Sequence, residues 1–473
     1  LKLEKPVNRQ YCEISKISDT NVRVRQINPS GITTSTYNIC FENGRLSHLE
    51  LSDQWGEVVE RRKYEMISEN TFRLTEFENG VNVFMPCKYA IVTYNNELLA
   101  EMSLHSFSGR LKENDRGYAI VRYKRYDDRI RFAESKETSY FNAQNDPVIS
   151  KQTGYHCVKY EFDESDNKIA ESYYDIFNKP TTNKSANSYG SRYTYDQNNN
   201  VVQTQFVGAN GHVYPNINGI AEVRFEYLNG YTIKVTRYDS SDHVVKSAAQ
   251  GDGVAIIRED YDSNGNMIRR STFDESGSPF KDHSGIAVVA YVFSQDNMLT
   301  SRSNFNESGI PAEDRSKIQS YRYRNDSLGR IVQESYSGRD GQPVKDFTNE
   351  VFMKKTKFDV NGRDSSESYW KDSLTPMPRW NGVYEKRSQY NEDGQIVQYD
   401  YFDNKGSPLK SENGYSQCQL FFDENGVMYK RQFSFNNTNV NTTGGVSSGF
   451  SIIRYEHDSV GRVNQILFYG SEH

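Results

Sequence analysis

The sequence is poor in the residues by which most functional classes are recognised. Its five cysteines, Cys12, Cys40, Cys87, Cys157 and Cys418, are odd in number, scattered and without a CxxC pair. That argues against a disulfide framework and against a thiolate metal site, and leaves them as small buried hydrophobes. The eight histidines show no HxxxH spacing and no pairing with cysteine, so no metal and no cofactor is expected. No apolar run is long enough to span a bilayer. Basic residues (57) do not exceed acidic ones (63), which argues against a nucleic-acid partner, since that needs a basic stripe. Aliphatic residues are scarce as well. Hydrophobic content is 35%, with 34 tyrosines and 25 phenylalanines making up part of the deficit. Such a chain suits a thin sheet with one aromatic face better than a deep aliphatic core.

What is present is repetition. The stretch from Gly253 to Ser284, GVAIIREDYDSNGNMIRRSTFDESGSPFKDHS, reads as strand, tight turn, strand, second tight turn and a short extended tail. Ala255, Ile257 and Tyr261 share one face of the first strand, because side chains alternate with period two. The same offsets recur from Gly154, Gly219, Gly285 and Gly414. The other strand face is mixed, apolar at Val254 and Ile256, and is read as meeting water or a partner. Each turn carries Asp or Asn followed three positions later by glycine, as in Asp262/Gly265, Asp274/Gly277, Asn306/Gly309, Asp326/Gly329 and Asp403/Gly406. The carboxylate or amide caps backbone N–H groups two residues on, and glycine takes the left-handed conformation that closes a bulged hairpin. Where glycine is missing, Asp166, Asn178 and Asn199 replace it, the residue types that best tolerate left-handed backbone.

Unit starts fall near residues 117, 154, 187, 219, 253, 285, 317, 351, 382, 414 and 449, a period of about 33 residues. Residues 117–473 are therefore read as regular tandem β-hairpin repeats. Residues 1–116 are read as degenerate repeats forming an N-terminal cap, with turn remnants at Asn28–Gly31 and Asp53–Gly56. No stretch shows helical periodicity with caps. The fold class is all-β: a tandem hairpin array as a solenoid or spiral sheet, with a β-propeller or closed shell as the alternative. The chain opens at Leu1 without methionine, which is read as a piece of something longer.

The turn-plus-strand signature resembles YD repeats of the RHS type, whose motif runs aromatic-x-Tyr-Asp-x-x-Gly-Arg/Asn-aliphatic. RYEHDSVGRV (454–463), YRYRNDSLGRI (321–331) and EDYDSNGNMI (259–268) are the nearest copies. One departure is the longer period, which adds a Gly-x-Pro turn and tail, as at Gly277-Ser-Pro279 and Gly406-Ser-Pro408. The resemblance implies a bacterial structural or interaction module; the expected place is secreted or the cell surface, with the cytoplasm as the alternative, and the toxin-enclosing shell of RHS proteins does not follow, given that departure.

Motifs of catalysis are weak. Gly445-Val-Ser-Ser-Gly449 matches a serine-hydrolase elbow, but a polar loop precedes it and a strand follows, where that chemistry needs a strand before and a helix after. Aspartates recur once or twice per unit, the mark of structure, whereas an active site is normally unique. The expected function is a non-enzymatic β-repeat scaffold or protein-binding module; a glycan-binding surface protein using exposed aromatics is the alternative. Candidate binding residues are Trp370, Trp380, Tyr369 and Trp55. The 369–382 stretch, YWKDSLTPMPRWNG, is read as a longer, proline-stiffened loop carrying two tryptophans, a residue type enriched where protein partners dock.

Overall fold

The computed structural model describes the chain except residues 1–10, 28–32, 54–57, 79–80, 83–86, 88, 96–97, 107, 125–135, 249–251, 361, 392–394, 424–427, 444–448, 458–462 and 471–473. The expected turn remnant at 28–31, most of that at 53–56 and most of the 445–449 motif lie outside the described residues. Thirty-two strands and no helix occur among those described. They form one antiparallel sheet from Tyr11–Lys16 to Val463–Tyr469. Each long strand pairs with the long strands before and after it, as Ile256–Tyr261 does with Tyr231–Tyr238 and Met267–Phe273. The sheet does not close on itself, and the uninterrupted pairing corrects the propeller alternative, which needs separate blades.

The first hairpin turn of each unit forms as its residues dictate. The Asp262 carboxylate accepts from the N–H groups of Asn264 and Asn266, both at 2.9 Å. Gly265 sits at φ 82°, and the register shifts between Asp260 and Tyr261. Asp166, Asn178 and Asn199 take φ values of 63°, 57° and 62°, as their substitution for glycine implies. After the second strand the chain folds back on itself: Phe273 bridges Pro279, and nine further units repeat that bridge six residues on.

The tail departs from the expected extended form, because it closes a third tight turn. Gly285 N–H donates to Asp282 O at 3.0 Å, and the Asp282 carboxylate caps Ser284 N–H at 2.8 Å. The residues read as unit starts are thus turn closers with left-handed backbone, including Asn187 and Lys317; near 351 the closer is Glu350. These third turns are joined to one another, as where Ile217 N–H donates to Ala186 O (2.7 Å) and Ala248 N–H to Asn218 O (2.9 Å). A row of turns therefore runs alongside the sheet.

Between sheet and turn row lies the core. The residue after the turn closer is buried at Tyr118, Tyr155, Ser188, Ile220, Val254, Ile286, Ile318, Val351, Val383 and Tyr415, and half-buried at Phe450. Val254 and Ile256, read as facing water or a partner, are buried within their own chain, because the folded-back tail covers that end of the strand. Each aliphatic in this row contributes about 1.5–3 kcal/mol by burial.

Two stability outcomes follow. Gly277 has φ 79° and nothing within 4 Å of a built Cβ, so only backbone strain opposes substitution there. Gly277→Val is expected to destabilise by about 1–3 kcal/mol and Gly277→Asn by clearly less, read from urea midpoints; equal midpoints would contradict the turn geometry. Ile286→Ala is expected to cost about 2–4 kcal/mol, whereas Val360→Ala, at a fully exposed turn position, should leave the midpoint in place.

Candidate functional site

Three of the four candidate residues fall on described positions, and the fold gives each a different place. Tyr369 belongs to the strand Asp364–Trp370 and is 1% exposed, a core residue. Arg379 donates to its hydroxyl at 3.1 Å, and burial first of all pushes its pKa up to about 12. Trp370 ends the same strand, half-buried, with its indole N–H donating to Ser368 Oγ at 2.9 Å and Lys355 Nζ lying 3.5 Å over the ring. Trp380 is 52% exposed on a third turn, where its N–H donates to Asn349 O of the preceding turn at 3.2 Å. Trp55 lies outside the described residues.

The 369–382 stretch is not longer than its counterparts. Lys371 N–H donates to Thr375 O as Asp274 N–H does to Ser278 O, and Trp370 bridges Pro376 as Phe273 bridges Pro279. The sequence hides the equivalence because the capping carboxylate has moved one position on. Asp372 accepts from Leu374 and Thr375 N–H at 2.9 and 2.8 Å, so no glycine is needed.

The structure adds a residue that sequence reasoning missed. Phe347 is 83% exposed on the turn Asp346–Glu350, and it is to that turn that the Trp380 turn is bonded. Both aromatics directly follow the first residue of their turn. The signal was available as Asp346-Phe-Thr-Asn-Glu350, but glutamate in the left-handed place (φ 57°) disguised it. Phe347 and Trp380 thus stand on bonded neighbouring turns, with a carboxylate cap (Asp346) beneath one and a guanidinium (Arg379) 5.7 Å from the ring of the other. A rigid backbone holds two apolar groups out in water, which is an arrangement suited to contact rather than to bond-making.

Cations cover several aromatics of the strands. Arg122 lies 4.3 Å over Phe141, Lys159 4.2 Å over Tyr174, Arg224 4.0 Å over Tyr238 and Arg387 4.0 Å over Phe402. One face of each ring is therefore occupied.

Carboxylates of two kinds are present. Turn aspartates are held below the usual carboxylate range: Asp403 by the N–H groups of Ser407 and Lys405, Asp274 by the hydroxyl and N–H of Ser276 and the N–H of Ser278. Glu334 and Asp364 are raised instead, each chiefly by burial, and share a cleft of about 270 Å³ with Lys354. Asp364 stands where neighbouring units carry Ile331 and Ile396. Among the described residues no group of three or more His, Cys, Asp or Glu is placed to hold a metal ion.

The raised Glu334 has a definite sign. Between the ordinary value of 4.5 and its folded value, the native state binds more protons than the unfolded state. Stability therefore falls as pH rises through that window, and the deficit persists at pH 7. Glu334→Gln is expected to melt higher than the parent at pH 7, with the gap closing as pH drops toward 4.5 in a series of thermal melts. A gap constant with pH would contradict it.

No family model matches this sequence, and no curated protein matches it. Solved structures do. A TcdB2-TccC3-TEV crystal structure aligns over 93% of this chain and 21% of its own, at 11% identity and TM-score 0.43. TcdB2-TccC3 without its hypervariable C-terminal region aligns over 97% and 27%, at 10% identity and TM-score 0.28. TcdB2-TccC3-Cdc42 aligns over 98% and 27%, at 11% and 0.27. The chain spans 21 to 27% of the length of these three chains.

Proposed function

We propose that this chain is a non-enzymatic repeat scaffold of the YD/RHS type that binds a protein partner within a larger bacterial assembly, secreted or at the cell surface. The observation that carries the reading is the pair Phe347 and Trp380, held in solvent on turns that are hydrogen-bonded to each other. A backbone bonded from strand to strand loses little freedom on binding, so the apolar area of two exposed aromatics goes largely into affinity. The YD/RHS assignment is supported by the turn signature at 259–268 and 321–331, whose Gly265 and Gly329 take φ values of 82° and 89°. Glycan binding is the weaker reading, since Trp370, Phe402 and Tyr238 each have a cation over a ring face that a sugar would stack on.

The test begins with chemical cross-linking of the chain in extracts of its source, followed by identification and purification of the linked protein. Phe347→Ala with Trp380→Ala should then weaken binding by at least about tenfold at an unchanged melting temperature. Full affinity in the double variant would remove the turn pair as the docking site, and a glycan-array hit with no protein partner would favour the alternative.

A further inference from the structure

Four consecutive third turns carry a pattern that is its own complement. Arg315, Phe347, Trp380 and Glu412 each directly follow the first residue of their turn, and all four are exposed. Their turns close alike. Lys317 N–H donates to Asp314 O at 2.9 Å, Glu350 to Asp346 at 3.1 Å, Gly382 to Arg379 at 2.9 Å and Gly414 to Ser411 at 2.8 Å, so the four places are equivalent. One hairpin, two strands wide, separates each place from the next, which sets the steps at roughly 10 Å. Along the row the order is cation, aromatic, aromatic, anion. Lys317, also exposed, adds to the cationic end. The four preceding turns carry Lys184, Ile217, Ala248 and His283 at this place, a run with no anion to complete it. Among the described residues neither Arg315 nor Glu412 has an ion-pair partner.

We propose that this row is a two-fold interface at which a second copy of this chain docks antiparallel. An axis midway between Phe347 and Trp380 sets Arg315 opposite Glu412 of the second copy and Phe347 opposite Trp380 of the second copy, and each contact then occurs twice. Self-complementarity selects the occupant. An unrelated partner needs a matching row of its own, whereas this chain already carries one with the right signs at the right steps. The aromatics supply the apolar centre, and the charges form its rim. The charges also fix the direction, because parallel docking would lay Arg315 on Arg315 and Glu412 on Glu412. Bonds from Trp380 N–H to Asn349 O (3.2 Å) and from Glu412 N–H to Asn381 O (3.4 Å) hold two of the three steps. A contact of four places is small, so a transient dimer is expected rather than a permanent one. The inference deepens the docking reading above and rests on it for the Phe347–Trp380 pair.

Analytical ultracentrifugation of the full chain over about 1–100 μM, the range of weak and transient contacts, tests it. A reversible monomer–dimer equilibrium is expected, and Phe347→Ala with Trp380→Ala should abolish it. Arg315→Glu alone and Glu412→Arg alone should each weaken the dimer by at least about tenfold, since each sets like charges face to face twice. The double variant should dimerise as the parent does, and so should an equimolar mixture of the two single variants, in which every facing pair is again opposite in sign. Equal melting temperatures show that the variants are folded; Arg315→Gln or Glu412→Gln, which remove a charge without reversing it, replace any that melts early. A parent that stays monomeric at about 100 μM overturns the inference. If a different protein is then cross-linked and still needs Phe347 and Trp380, the docking reading stands without it. A dimer indifferent to the single reversals, or not restored by the double variant, overturns the inference as well.

Discussion

The structure hangs on one backbone residue per unit that serves two masters. The N–H at Thr272 and at its equivalents Leu104, Tyr140, Tyr173, Phe206, Arg237, Asn304, Tyr336, Tyr369, Tyr401 and Phe433 holds the next strand, and the C=O holds the unit's own tail. The tail then closes the third turn, and the residue after that turn enters the core. Sheet, tail, turn row and core are thus consequences of a single bonding choice. Because the bonds are between backbone groups, the side chain at the node is free to vary from tyrosine to threonine, asparagine and arginine.

That freedom has been used unevenly. Aromatic nodes gather into packed clusters near both ends of the described array, around Leu74–Val121, Tyr155–Tyr173 and Val351–Ile453. Between them, flanked by Phe206 and Tyr336, the nodes Arg237, Thr272 and Asn304 are polar. Arg237 makes a two-pronged bond to Asp252, each arm at 2.8 Å, and Asn304 Nδ2 donates to Ile318 O at 3.1 Å. Burial acts to raise Asp252, yet Arg237 holds it below the usual range. A part-buried pair of this kind adds little net stability over an apolar isostere but is costly to break.

The candidate site was partly legible. Trp380 was found because tryptophan outside a strand pattern is conspicuous, and it is indeed the exposed one of the two described tryptophans. Tyr369 and Trp370 looked like loop residues because the turn after them lacks its glycine, whereas they hold the buried node and the bridging position of an ordinary unit. Phe347 escaped notice because Glu350 stands where other turns carry glycine or asparagine, which disguises the turn that holds Phe347 out.

By itself the sequence determined the hairpins. Alternation and the Asp-x-x-Gly turns are local, each fixed by a residue's own φ preference and a carboxylate's reach to N–H groups two to four positions away, so the period, the all-β class and the asparagine exceptions could be read directly. It did not determine what covers the second face of each strand. That depends on the tail of one unit meeting the next about 33 residues away, a long-range match of backbone groups that leaves only faint marks in side-chain pattern. For the same reason the third turn, the buried place of Val254 and the adjacency of Phe347 and Trp380 were decided by tertiary structure alone.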